Sequence, residues 1–265
     1  MINKSLFLIL HLTFFILHSS FFIFPSLAQS VYTYSISSYG ITGGALTVTE
    51  EGDPNGALTR TVHVKSHGVA STFYDVDTTL QCVQEMTTRG HLHTVTKKVK
   101  EKDFAQNDVL SLCFTGTNGL GMWMNVAKGT TNHFDISSNA LDMVCFFFDL
   151  RERIAISEGA ELPLGTIKEV DDHLIMDGTS HALSITAGKA RKEKTSFGRI
   201  EVVPLELISK SPTLFVRNKP KNIRVSTHTP TVLSVDVGYS LGTAHATLES
   251  WTTNGIPVDL KETFK

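Results

Sequence analysis

His91 and His93 flank Leu92 in a stretch that alternates like a strand, so both imidazoles fall on one face and could reach a single metal ion. Such a site needs a third ligand and supporting hydrogen bonds. No matched pair stands nearby in the chain, and His63 and His67 are too loosely spaced to complete it. The expectation is therefore that these histidines face solvent and that the chain holds no metal and no cofactor. The three cysteines sit in apolar settings: Leu80-Gln81-Cys82-Val83, Leu112-Cys113-Phe114 and Val144-Cys145-Phe146. A free cysteine packs as a small hydrophobe, and an odd number in an exported chain leaves at least one thiol unpaired or intermolecular. Buried thiols are the leading expectation and a Cys82–Cys113 disulfide the alternative. None of the three lies in the electropositive setting that a catalytic thiolate requires.

Other chemistries find less support. Neither a Gly-x-Ser-x-Gly elbow nor a Ser-x-x-Lys motif is present. Asp171-Asp172 and Glu50-Glu51 read as solvated turn carboxylates rather than an acid–base pair. The glycine-rich stretch from Gly116 to Gly121 lacks the Lys-Ser/Thr of a phosphate loop and opens no helix. The reading is a non-enzyme with no catalytic residue.

The framework that would carry any site is mostly β. Leu233, Val235, Val237, Tyr239 and Leu241 alternate with Ser234, Asp236, Gly238, Ser240 and Gly242, the period of two that marks a strand with one buried face. Similar alternation recurs from Leu58 to Lys65 and from His181 to Thr186. Turn chemistry separates the runs at Asp53-Pro54-Asn55-Gly56 and Asp177-Gly178. The stretch from Thr72 to Met86 reads as one more strand. That from His91 to Lys100 reads as a strand whose Lys97, Lys98 and Lys100 could protect a sheet edge. From Ser137 to Arg153 the pattern changes: Ala140, Leu141, Val144, Cys145 and Phe148 lie on a helical face, with Ser137, Ser138 or Asn139 able to cap it. Phe146 and Phe147 fall off that stripe, so the predicted helix is apolar almost all round and belongs against a sheet. The fold class expected is mainly β. It is a single curved antiparallel sheet, half-barrel or open barrel, of about a dozen strands, with one apolar helix packed against it.

Residues 1–28 form a separate unit. Lys4 is followed by an apolar run from Leu6 to Phe24, then Pro25 and the small residues of Ser26-Leu27-Ala28, which reads as a secretory signal peptide cleaved after Ala28. Residues 29–265 then form a single β-rich exported domain, periplasmic or secreted, long enough to bury roughly 70 % of its unfolded surface. No later apolar run reaches the ~18 residues of a membrane-spanning helix, so no transmembrane span is expected after cleavage. With 24 basic against 26 acidic residues and a net charge of −2, no nucleic-acid partner is implied.

Four places carry a family resemblance: Tyr34 through Gly40-Ile41 to Gly44; Phe73-Tyr74-Asp75-Val76-Asp77; Ala140-Leu141-Asp142 onward to Phe148-Asp149-Leu150-Arg151; and Phe197 to Pro204 followed by Ile223-Arg224-Val225-Ser226 and Pro230. In order and spacing they resemble the DUF 3108 family of bacterial envelope proteins. The resemblance implies a periplasmic protein without an assigned catalytic residue. It also implies a likeness to the lipoprotein-carrier type of fold, a curved sheet around an apolar cavity with a helical lid. On that basis the leading expectation is a binding or carrier module for a lipid, a lipoprotein or another acylated envelope component. An acyl chain of about 15 methylenes costs ~12 kcal/mol to expose to water, and a carrier hides that surface. Phe146, Phe148, Val235, Val237 and Tyr239 are the expected ligand-facing residues. The alternative is a structural or interaction protein with a packed core and other envelope proteins as partners.

Overall fold

The computed structural model describes residues 29–264, apart from 55, 74, 88–89, 102–103, 116–117, 138–139, 147, 149–169, 210–218, 230 and 240–241. The proposed signal segment lies outside the described residues. The first half of the chain is a meander of eight strands: β1 (Gln29–Ser38), β2 (Ile41–Gly52), β3 (Leu58–Ser66), β4 (Asp77–Thr87), β5 (Gly90–Glu101), β6 (Phe104–Thr115), β7 (Asn118–Asn125) and β8 (Thr130–Ser137). Then come β9 (Ala140–Asp142), β10 (Val170–Met176), β11 (Thr179–Ala187), β12 (Arg191–Thr195), β13 (Gly198–Ser209), β14 (Lys219–Ser226), β15 (Thr231–Tyr239), β16 (Gly242–Thr253) and the two-residue β17 (Ile256–Pro257).

Strand β1 pairs with β2 on one side and β16 on the other, which joins the two halves into one sheet. From β8 the sheet runs back through the meander to β1, then through β16, β15, β14, β13, β11 and β10 to β9. The short β12 and β17 attach beside β13 and β16. The result, among the described residues, is a nearly closed, barrel-like sheet of 17 strands rather than a half-barrel of about a dozen. It is antiparallel except between β9 and β10, which run parallel. Two-residue turns with positive φ at both positions close several hairpins: Tyr39-Gly40, Asp177-Gly178 and Asn254-Gly255, the geometry whose twist matches that of the flanking strands.

Three expectations are corrected. Strand β5, which carries the lysines, is paired on both sides, with β4 and β6, so it is not an edge. The strand expected from Thr72 begins only at Asp77, and a short helix, Gly68–Phe73, takes its first two residues. The long helix predicted from Ser137 is reduced: Ala140–Asp142 is strand, and helix occupies only 143–146 and 148 among the described residues. Ala140 and Leu141 fit a helical stripe in sequence, yet parallel pairing with His173 and Leu174 holds them extended. Tertiary pairing overrides local pattern here.

The segment from β9 to Phe148, together with β10, sits inside the barrel. Ala140, Val144, Cys145, Phe148 and Ile175 pack with Cys82, Val95, Leu110 and Leu112 from the meander. Phe146 and Leu174 pack with Leu183, Ile185, Val203, Leu205, Ile223 and Val235 from the opposite wall. Adjacent residues of β10, Leu174 and Ile175, thus face opposite walls and both are buried. Burial on both faces explains the unbroken Leu174-Ile175-Met176 run, since a strand covered on both sides need not alternate. Ile175→Ala should destabilise the fold by about 2–5 kcal/mol in a urea melt, whereas Met86→Ala at the exposed end of β4 should stay within about 0.5 kcal/mol of wild type.

Candidate functional site

The β4–β5 hairpin places Cys82 opposite Val95 and His93 opposite Gln84. Cys82 and His93 are therefore diagonal neighbours on the inward face, close enough for their side chains to meet a common third group. That group comes from inside the barrel. Asp142 ends β9 on the side facing this hairpin, and Cys145 lies one helical turn further on. The donor atoms of Cys82, His93, Asp142 and Cys145 all fall within 4.8 Å of one another, and all four residues are buried.

Asp142, with 0 % exposure, holds the arrangement together. Its Oδ1 accepts the backbone N–H of Val144 and of Cys145, each at 2.9 Å, which caps the helical turn. Its Oδ2 points outward from that cap, 3.5 Å from Cys82 Sγ and 3.4 Å from His93 Nδ1. The two sulfurs are 3.4 Å apart, well beyond the ~2.05 Å of a disulfide bond. At the far side of the ring, Gln84 Nε2 meets His93 Nε2 at 3.1 Å, and Gln84 Oε1 accepts from Arg60 at 3.2 Å. Phe114 packs edge-on against the imidazole at 5.1 Å. His93 Nδ1 is buried without a hydrogen-bond partner.

These contacts set the protonation of the group. The hydrogen bond with Cys145, then burial and the Asp142 charge, drive the Cys82 thiol far above its ordinary value. The same contact with Cys82, aided by His93, lowers Cys145 against the effect of burial. Burial alone would depress His93, yet Asp142 and Cys145 outweigh it and push the imidazole up to about 9. Asp142 is held below the usual carboxylate range because His93, Cys145 and the backbone donors overcome its desolvation. The site thus favours one anionic sulfur, on Cys145, and the Asp142 carboxylate around one imidazole, with Cys82 held protonated.

Sequence reasoning treated each member separately and placed His93 in solvent; its side chain is only 12 % exposed. His91, two residues earlier, is exposed at the end of the same strand. The cysteines are free thiols, two of them buried as expected and Cys113 half-buried. A Cys82–Cys113 bridge is ruled out by strand parity. Cys82 lies beside Val95 and Leu110 on the inner face, and Cys113, three residues past Leu110, points to the outer one. The one sequence signal for the site is Asp142-x-x-Cys145, a cap residue followed one turn later by a thiol; nothing in the spacing ties it to Cys82 or His93.

The residues expected to face an apolar ligand lie in the core. Phe146, Phe148 and Val235 are 2 %, 4 % and 8 % exposed, Val237 packs against the same cluster, and the Tyr239 side chain lies outside the described residues. The Arg60 guanidinium covers the Phe148 ring at 4.4 Å while pairing with Glu50 at 2.8 Å. A pocket bounded by Leu80, Val95, Lys97, Trp123 and Ile175 has a volume of about 30 Å³, room for roughly one water.

No protein-family model and no curated protein matches the chain. Among solved structures it is similar to the crystal structure of a β-barrel-like protein of domain of unknown function DUF1849 from Brucella abortus. The TM-score is 0.54 at 12 % identity, over 86 % of this chain and 97 % of that one. The likeness concerns the fold: a β-barrel-like architecture in both chains. Among the described residues no helix is long and apolar enough to cross a membrane.

Thiol accessibility tests the geometry. In the native protein Cys113 alone should react quickly with a thiol reagent, and all three should react once the chain is unfolded with a chelator present. Two thiols unreactive in both states would reveal a disulfide and contradict it.

Proposed function

We propose that this chain is a non-catalytic protein of the cell envelope, exported by its first 28 residues, that acts as a barrel with a filled interior and meets its partners through its outer surface. The reading rests on one observation: the segment carrying Phe146 and Phe148 occupies the space between the two walls, where a carrier of the lipoprotein-carrier type would keep its acyl chain. A bound acyl chain would have to displace both phenylalanines from a core in which each is nearly fully buried. It would also have to break the Asp142 cap and the contacts of Arg60 with Glu50 and Phe148. A pocket in an acyl-binding protein typically spans several hundred Å³. Outside, the β1–β2 hairpin presents Tyr39 and Ile41, 77 % and 67 % exposed, as an apolar tip available to another envelope protein.

Native mass spectrometry of the protein purified from its own envelope tests this reading. The expected result is a chain without co-purifying lipid and without saturable binding of a fluorescent fatty acid. A stoichiometric acyl ligand would reinstate the lipid or lipoprotein carrier reading. In the same preparation a photo-crosslinker at Ile41 should give protein adducts, and one at Ile175 should give none.

A further inference from the structure

The geometry points to a buried metal-binding site, suited to Zn²⁺, in which Cys82, Cys145, His93 Nδ1 and an Asp142 carboxylate oxygen are the four ligands. Zinc binds sulfur at about 2.3 Å and imidazole nitrogen or carboxylate oxygen at about 2.0 Å, in tetrahedral array. Those bond lengths put tetrahedral ligand pairs about 3.8 Å apart for S–S, 3.5 Å for S–O and 3.3 Å for N–O. The corresponding separations here are 3.4 Å between the sulfurs, 3.5 Å from Cys82 Sγ to Asp142 Oδ2, and 3.4 Å from His93 Nδ1 to that oxygen. Three of the six edges thus match a zinc tetrahedron to within about 0.4 Å, and the other three lie within 4.8 Å.

Two other uses of these residues leave the structure poorly satisfied. A disulfide needs the sulfurs at ~2.05 Å, and they stand 3.4 Å apart, with His93 Nδ1 3.4 Å from Asp142 Oδ2 but not hydrogen-bonded to it. A thiol–imidazole–carboxylate nucleophile needs access for a substrate, and Cys145 is 2 % exposed behind two walls of side chains. A cation at the centre satisfies both sulfurs, the imidazole nitrogen and the free carboxylate oxygen at once. Two thiolates with an imidazole and a carboxylate suit zinc better than calcium or magnesium, which prefer oxygen donors.

The surrounding residues fit the same reading. Asp142 keeps Oδ1 on the backbone of Val144 and Cys145, so only Oδ2 is directed to the ion. With Nδ1 on the metal, the imidazole proton sits on Nε2, at the Gln84 end of the ring. Four protein ligands leave no open position for water or substrate, so the ion is structural. It fastens the internal segment, through Asp142 and Cys145, to the β4–β5 wall, through Cys82 and His93.

Elemental analysis of the exported chain, purified without a histidine tag, tests the site directly. About one zinc ion per chain should survive dialysis, and Co²⁺ exchanged for it should give a thiolate-to-cobalt charge-transfer band with visible bands of tetrahedral intensity. Removing the metal with a strong chelator should lower Tm by about 5 °C or more. Cys145→Ser should lose the charge-transfer intensity or the metal, and Cys113→Ser should retain both. Because the ligand variants could fail to fold, the decisive reading is on the wild-type chain. A folded protein with three free thiols that takes up neither Zn²⁺ nor Co²⁺ overturns the inference, and so does a Cys82–Cys145 disulfide.

Discussion

The fold depends on burying both faces of one short parallel pair. Strands β9 and β10 lie between two curved walls, with Ile175 turned to the meander and Leu174 to the second half of the chain. Everything on that inner layer must be apolar or fully satisfied, since a buried polar group without a partner costs on the order of 1–3 kcal/mol. Among the described residues of β9 and β10, Asp142 is the fully buried charge that the layer has to accommodate. The structure answers with two backbone donors on one oxygen and with a thiol and an imidazole near the other.

That requirement links packing to the candidate site. The carboxylate that caps the helical turn also directs an oxygen at the β4–β5 hairpin, so one residue couples the internal segment to the wall. Arg60 adds a second fastening a few residues away. It is buried, paired with Glu50 and laid over Phe148, and its contact with Gln84 connects it to the far side of the His93 ring. The interior reads as a core with polar fastenings at chosen points. This is the physical reason for preferring a filled barrel to a hollow carrier, even though the outer architecture is compatible with either.

Much of the architecture was legible from alternation alone. The period of two around Val235 placed that residue inward, and the Asp177-Gly178 pair marked a hairpin that the backbone closes as such. The errors have a common origin. Ala140 and Leu141 satisfy a helical spacing and a strand spacing equally over so short a run, and the choice was made by a partner strand some thirty residues away in sequence. The lysines of β5 resemble edge protection, but an edge is a property of neighbours. His93 looked solvent-facing because a histidine between polar residues carries no signal of what lies opposite.

By itself the sequence determined the class of the protein: a long, period-two β chain with neutral overall charge balance and no recognisable catalytic motif, because these follow from residue types and nearest-neighbour spacing. Tertiary structure alone decided which segment goes inside the barrel and which four side chains meet there. Cys82, His93, Asp142 and Cys145 converge through a hairpin register and a parallel pairing whose partners are far apart along the chain. Their proximity is therefore a product of the long-range contacts that close the barrel.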